Sequence, residues 1–546
     1  MSLHKYRNWA LILAAVIAHL MIAVRSVGPM YLYDEVGYVA GANVISGHGA
    51  DWSLCGSSYA VGYSTILTPL WWLPVSPITV YQIAVFISAA LGALAIWPAT
   101  ALAKRFGATG GLALGIGVLV TLVPSRALMN NYVLAENPLT LLVLCAALLA
   151  MRLAKTSRNI DAVLLGVAAG LAVAVHARAI PLAVVTVTWL IVRAVLGRTA
   201  WLHAALGSVA AIALTIIGLV AQAKIGAQLF AEDSRLDDLV GNVNPLRIGE
   251  VILGQAFSQV LSWAILTVLG LIACAAKARS AVRVHGVRGV ATGWWWMGAM
   301  VVAQAAFFVW VLAGSADFEA RFDIPIFGRY LDPFVVPLAI LGSVTLWKSV
   351  RSRVVTSALV ASCVAVVAYG VLVLPRISPE ALWIRFAVPG LMPYMDLTDG
   401  DSRPRLAITA GIVVVGCVLL WFSRKRATAG LVGALVVAAT LTLGADILRV
   451  DPYEGDARAQ TVISPFIEAN PNHSTTLAAD LLPCLERNKL QLELAGLVSI
   501  VPAGGDYGDE FVVGPAEWPA AEQAGYLKVR YTTWLDAQVW AYVSER

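Results

Sequence analysis

Asp34 and Glu35 stand side by side in Tyr31-Leu-Tyr-Asp-Glu-Val-Gly-Tyr38, where the first long apolar run of the chain ends. An ionised carboxylate is costly inside hydrocarbon and inexpensive at its rim, where one dry wall can tune its basicity while reactants arrive from both phases. Proton transfer at the edge of a membrane is the chemistry such a pair suits, and a solvated loop pair is the plain alternative. A third carboxylate, Glu136 in Leu134-Ala-Glu-Asn-Pro138, has the same kind of position and can equally cap the helix that follows it.

The elements that must hold these acids are membrane spans. Hydrophobic residues make up 59% of the 546, charged residues 13%, and the mean hydropathy is +0.77, which excludes a soluble globular chain. About thirteen stretches approach the roughly twenty-residue spanning length. They cover 8–28, 78–103, 107–124, 137–152, 160–176, 179–195, 200–222, 256–276, 290–313, 331–347, 354–374, 405–422 and 427–446.

With the N-terminus in the cytoplasm, short inner loops collect half of the 38 Lys and Arg residues, among them Lys104, Arg105, Arg193, Arg198, Arg424 and Lys425. Of the 33 acidic residues only Asp161 then lies inside. The formal net charge of +5 therefore reflects loop anchoring and gives no reason to expect nucleic acid as a partner. The first apolar run is too long for a cleaved signal and is expected to stay as an anchor.

On the outer side, residues 29–77 form a long first loop whose stretches 36–45 and 59–72 are too short to span and read as helices lying along the interface. Further outer loops cover 223–255, 315–330 and 375–405. Residues 1–446 are expected to be the membrane domain and 447–546 a small extracytoplasmic α/β domain. That module has a helix near 457–469 and strands near 497–501, 511–513, 527–532 and 539–543. Its Gly504-Gly505 reads as a turn. Cys55 and Cys484 alone among the six cysteines reach the outer compartment, where a disulfide between them and two free thiols are both open.

Together, the acid pair after span 1, the interfacial loop, the span count and the exterior module resemble the C-type (GT-C) membrane glycosyltransferases, in particular the protein O-mannosyltransferase and lipid A aminoarabinose transferase branch. The motifs that carry the resemblance are Asp34-Glu-Val-Gly-Tyr38, Ser46-Gly-His-Gly-Ala-Asp-Trp52, Gly62-Tyr-Ser-Thr-Ile-Leu-Thr-Pro-Leu70, Leu134-Ala-Glu-Asn-Pro138 and Gly328-Arg-Tyr-Leu-Asp-Pro333. They are densest in the first 140 or so residues, and beyond that the resemblance rests on topology.

The resemblance implies an α-helical polytopic enzyme of a bacterial plasma membrane. It would transfer a sugar, arabinofuranose and mannose among the options, from a polyprenyl-phosphate carrier to a hydroxyl of a glycan, lipid or protein. A hydroxyl is a weak nucleophile until a positioned base takes its proton. Asp34 is assigned that role, and a single displacement would invert the anomeric carbon. Glu35 is expected to orient the acceptor, hold Asp34 or ligate a divalent cation (Mg, Mn or Ca) with Glu136.

The leaving phosphate needs cations near span ends. Arg126, Arg178, Lys224, Arg321 and Arg329 qualify, with Tyr330 as a hydroxyl donor, although most arginines beside lipid only anchor headgroups. Arg178 and Arg329 stand out, because each interrupts or opens an apolar segment. Tyr38, His48 and Tyr63 are candidates for an acceptor or sugar pocket, His48 with a structural alternative between its glycines. The rival readings are a secondary transporter, disfavoured by the scarcity of mid-span charge and of repeated halves, and a glycan polymerase or ligase using the same carriers.

Overall fold

The computed structural model describes residues 3–48, 51–56, 58–156, 158–230, 243–315, 318, 321–348, 352–378, 384–395, 402–447, 461–500, 510–531 and 537–542. Among them, ten helices are long and apolar enough to cross a membrane, and two bent pairs raise the number to twelve. The remaining expected span, near 160–176, is the seventeen-residue helix Asn159–Val175. The expected straight span 107–124 is instead Gly110–Leu122 followed by Pro124–Asn131 at 61°. Pro124 is the cause, since it drives Val123 into extended backbone with ψ 146°.

The expected span 256–276 is also corrected. Helix Pro245–Trp263 runs into Leu266–Ala291 through a 108° bend at Ala264, whose φ of 51° is unusual for a residue with a Cβ. Three side chains in the last turn before that bend, Gln259, Ser262 and Trp263, donate to the buried Asp332 carboxylate. The break is thereby tied to helix Gly328–Lys348, the most enclosed of the candidate spans.

Glycines let the helices approach backbone to backbone. A Cβ on Gly166 would lie 1.8 Å from the Gly207 carbonyl oxygen, and one on Gly270 would lie 2.0 Å from that of Leu338. Lipid tails give apolar side chains no advantage over one another, so close contact of small residues is what holds such helices together.

At one end of the bundle, residues 34–72 fold as Asp34–Ser46, Val61–Leu67 and the 3₁₀ turn Thr68–Trp72. Trp71 turns inward and donates to the Val39 carbonyl at 3.0 Å, while Trp72 is exposed. At the other end Arg193 is buried and seals the connections by donating to the carbonyls of Leu153, Arg198 and Ala291.

The C-terminal module is a five-stranded mixed sheet of β1 (Thr475–Leu477), β2 (Ser499–Ile500), β3 (Phe511–Pro515), β4 (Tyr526–Tyr531) and β5 (Ala537–Tyr542). Its order is β2-β1-β3-β5-β4, with β1 parallel to both neighbours and β5 antiparallel to both of its own. β1 is the strand that the sequence pattern does not show, because Thr475-Thr-Leu477 is short and only one of its residues is apolar. Helix Ile463–Glu468 occupies part of the expected 457–469 helix. The linker 448–460 and Gly504-Gly505 lie outside the described residues.

The Gly166 contact makes a test. Gly166→Val is expected to push the Asn159–Val175 and Trp201–Leu229 helices apart and to cost about 1–3 kcal/mol, read as a lower thermal midpoint of purified protein in detergent. The half-buried Gly249, whose Cβ would meet nothing within 4 Å, is the control and should tolerate alanine with little change.

Candidate active site

Asp34 and Glu35 open helix Asp34–Ser46, whose N-terminal dipole end favours acids. Successive helical residues diverge, and the two carboxylates have separate surroundings. Glu35 is fully buried: its Oε2 accepts from the backbone N–H of Met30 and Tyr31, both at 2.8 Å. Its Oε1 accepts from the Tyr81 hydroxyl at 2.6 Å and from Val133 N–H at 2.9 Å. Every lone pair of the carboxylate is taken by a protein donor, so Glu35 knots the loop before it to two other connections. It has no oxygen to offer an acceptor.

Asp34 faces the opposite way. Its Oδ1 accepts from the Tyr59 hydroxyl at 2.8 Å, its Oδ2 from Arg329 Nη2 at 2.8 Å, and its side chain keeps 23% of its exposure. Each oxygen retains a second lone pair. Arg329 then reaches back through Nε to Glu136 Oε1 at 2.5 Å, and Arg178 Nη2 meets the same oxygen at 2.9 Å. The result is a row of alternating charge, Asp34, Arg329, Glu136 and Arg178, assembled from four connections between helices. Two aromatic rings flank it: Phe386 lies 4.3 Å from the Arg329 guanidinium carbon and Tyr330 lies 5.2 Å from that of Arg178.

The row is charge-balanced but not saturated. Glu136 Oε2 and the Nε and Nη1 of Arg178 are buried without a hydrogen-bond partner. Arg178 is pointed inward by the 3₁₀ turn Ala177–Ala179, and its side chain is 4% exposed. Buried guanidinium N–H groups left open in this way mark a place for an anion or for ordered water.

The other sequence candidates lie elsewhere. Arg126 is buried and donates through Nη2 to the Glu136 carbonyl at 3.1 Å, while its Nη1 has no hydrogen-bond partner. Arg321 pairs with Asp323 and borders a separate cavity of about 230 Å³ together with Arg247, Glu250 and Arg376. Lys224 is exposed on Trp201–Leu229, and no contact joins it to the row among the described residues. His48 is exposed next to the left-handed Gly47 and sits 3.1 Å from Ser46 Oγ, in a helix-ending turn.

Tyr38 and Tyr63 are fully buried behind Asp34, with ring centroids 5.4 Å apart. Burial, reinforced for Tyr38 by Glu136 and Asp34, pushes both hydroxyls upward, so they are neutral walls without a role as bases near neutral pH. Tyr59, 5.2 Å from the Tyr38 ring, is the Asp34 partner that sequence reasoning missed.

A divalent cation does not fit the expected Glu35 and Glu136 pair. Glu35 is saturated, and the accepting oxygen of Glu136 lies between two guanidinium groups. No group of three His, Cys, Asp or Glu side chains able to hold a metal occurs among the described residues. Cys55 and Cys484 are joined in a disulfide with their Cα atoms 5.5 Å apart. Replacing Glu35 by Gln puts an amide N–H₂ against two of the four donors, and a loss of about 2 kcal/mol or more is expected, measured as a lower unfolding midpoint in detergent.

No protein-family model and no curated protein matches the sequence. Solved structures do. The apo crystal structure of ArnT from Cupriavidus metallidurans aligns over 100% of this chain and 99% of its own, with a TM-score of 0.55 at 16% identity. The structure of ArnT from the same organism bound to undecaprenyl phosphate aligns over 98% of both chains, with a TM-score of 0.53 at 15% identity. At such identities the likeness is one of architecture: the chain shares with ArnT a polytopic helical membrane domain followed by a small C-terminal α/β domain.

Proposed function

We propose that this chain is a membrane glycosyltransferase that moves a sugar from a polyprenyl-phosphate carrier to a hydroxyl of a glycan, lipid or protein. The observation that carries the reading is the buried row that has Arg178, with two unpartnered N–H-bearing nitrogens, at one end and the partly exposed carboxylate of Asp34 at the other. A fold shared with a protein solved with undecaprenyl phosphate bound supports the same choice of carrier.

The chemistry follows from the arrangement. The acceptor oxygen attacks the anomeric carbon as the bond from that carbon to the phosphate oxygen breaks, and the electron pair leaves with the carrier phosphate. The acceptor proton passes to Asp34. Tyr59 and Arg329 fix both oxygens of Asp34, so one lone pair is held toward the incoming hydroxyl with no reorientation at the moment of reaction.

Arg178 can meet the phosphate as its charge grows, and planar donors suit two phosphate oxygens at once. Arg329 is already committed to two carboxylates, so its part is to orient Asp34. With one base and no second carboxylate placed as a nucleophile, the displacement inverts configuration.

The working face is outside the cytoplasm in this reading. The helices that begin beside Glu136, Arg178 and Arg329 carry basic residues in their last turns, Lys155, Arg193 and Lys348, so the row sits at the ends opposite the basic loops. The N-terminus is then cytoplasmic and the C-terminal domain extracytoplasmic, in a bacterial plasma membrane.

Purified protein incubated with a panel of labelled polyprenyl-phosphate sugars tests this reading. Asp34→Asn is expected to lower transfer by about a hundredfold or more while leaving the thermal midpoint near that of the wild type. Transfer at the wild-type rate by that variant would remove Asp34 as the base. Arg178→Gln is expected to weaken carrier binding by about tenfold, read directly with the unglycosylated polyprenyl phosphate, and unchanged binding would remove the phosphate site.

A further inference from the structure

Among the described residues, the C-terminal domain meets the first loop chiefly through one short helix, Cys484–Glu493, with Asp480 just before it accepting from the Ser53 hydroxyl at 3.4 Å. Residues 51–54 of the first loop lead into an isolated bridge between Leu54 and Phe230, and the chain then bends at Cys55 and Gly56. On one side, Leu54 N–H donates to the Leu229 carbonyl at 2.7 Å. The N–H and C=O groups of Ser53 and Cys55 are presented on the other side, where both residues meet the same helix.

Two amide side chains meet that side. Gln491 accepts from Ser53 N–H and donates to Ser53 C=O, both at 2.8 Å. Asn488 accepts from Cys55 N–H at 2.9 Å and donates to Cys55 C=O at 3.0 Å. A carboxamide carries the donor and acceptor pair of a peptide group, and positions three apart share one helix face. The helix thus completes that side as a neighbouring strand would. Arg487 adds contacts to the Ser53 carbonyl and hydroxyl.

Asn488 does one thing more. Its Nδ2 also donates to the Leu32 carbonyl at 3.2 Å, and Leu32 is two residues before Asp34. Four residues beyond Cys55 lies Tyr59, whose hydroxyl holds Asp34 Oδ1. Asn488 and Gln491 are buried, at 0% and 2% exposure, so their bonds escape competition from water. The same helix begins at Cys484, which the disulfide ties to Cys55.

We infer that Asn488 and Gln491 are positioning residues for the Asp34 and Tyr59 pair, acting from the C-terminal domain, and that the Cys55–Cys484 bond keeps them in register. This rests on the reading of Asp34 as the base. Reduction opens the clamp: a dithiol such as dithiothreitol gives up two electrons and two protons and becomes a cyclic disulfide, while Cys55 and Cys484 each end as a thiol. The clamp touches neither Arg178 nor Tyr330, so its loss acts on turnover and spares the carrier.

The test uses the full-length protein in detergent, with amide hydrogen exchange, carrier binding and transfer measured side by side. In Asn488→Leu, exchange in residues 29–37 and 51–60 is expected to rise about tenfold or more. kcat should fall by about tenfold or more, with polyprenyl phosphate binding within about twofold of the wild type. Wild type treated with dithiothreitol should shift the same segments, and the double variant Cys55→Ser with Cys484→Ser should no longer respond to the reagent. That arm stands even if Asn488→Leu fails to fold.

Unchanged exchange in residues 29–37, in both the variant and the reduced protein, overturns the inference. So does a rise in exchange with full kcat, provided Asp34→Asn is inactive. If Asp34→Asn transfers normally while exchange rises as expected, the base assignment fails and the clamp survives as a structural joint.

Discussion

Two acids and two guanidinium groups taken out of water must pair with one another, and the site depends on that constraint. Bringing any one of them into the low-dielectric end of the bundle alone would cost several kcal/mol, and mutual attraction offsets this only when the geometry is good. Arg329 meets the requirement by binding Asp34 with one nitrogen and Glu136 with another. Because these residues come from distant connections, the row also fixes how those connections sit. Asp34 at its end is the least buried of the four, as a group that must meet a substrate should be.

Several supports converge on the row from behind. Glu35 holds the approach to Asp34 by taking the N–H groups of Met30 and Tyr31, and the Tyr38 and Tyr63 rings fill the space under the helix. Asp332, one turn after Arg329, anchors the start of its helix to the last turn before the Ala264 break. A kinked span and a buried acid are each costly in lipid, and here each offsets the other. The orphan polar atoms gather at the Arg178 end, where the row is open.

Much of this architecture is legible in the sequence, since long apolar runs and basic short loops are composition signals that survive without neighbours. The placement of Asp34 at a span end is legible for the same reason. The bend at Pro124 has a local cause, and the bend at Ala264 has none, because nothing in Trp263-Ala-Ile265 announces a reversal that Asp332 stabilises from 68 residues away. The role of Glu35 is illegible for a similar reason: a carboxylate beside another looks catalytic until its four donors are seen, two of them at Tyr81 and Val133. Tyr59 and Asn488 are ordinary residues by type, and their importance exists only in the pairing. Arg178 and Arg329 were discernible because a charge that interrupts an apolar segment needs a reason.

The link between residues 55 and 484 spans 429 positions, so it encloses nearly the whole membrane domain in a single covalent ring. During synthesis the first loop emerges long before its cysteine partner exists, and every later span must be inserted before the ring can close. Until then the loop that carries Asp34 lacks its last fastening. A chain stalled or truncated after any earlier span would therefore reach the membrane with this end of the bundle unfastened, which ties completion of the proposed site to completion of the polypeptide.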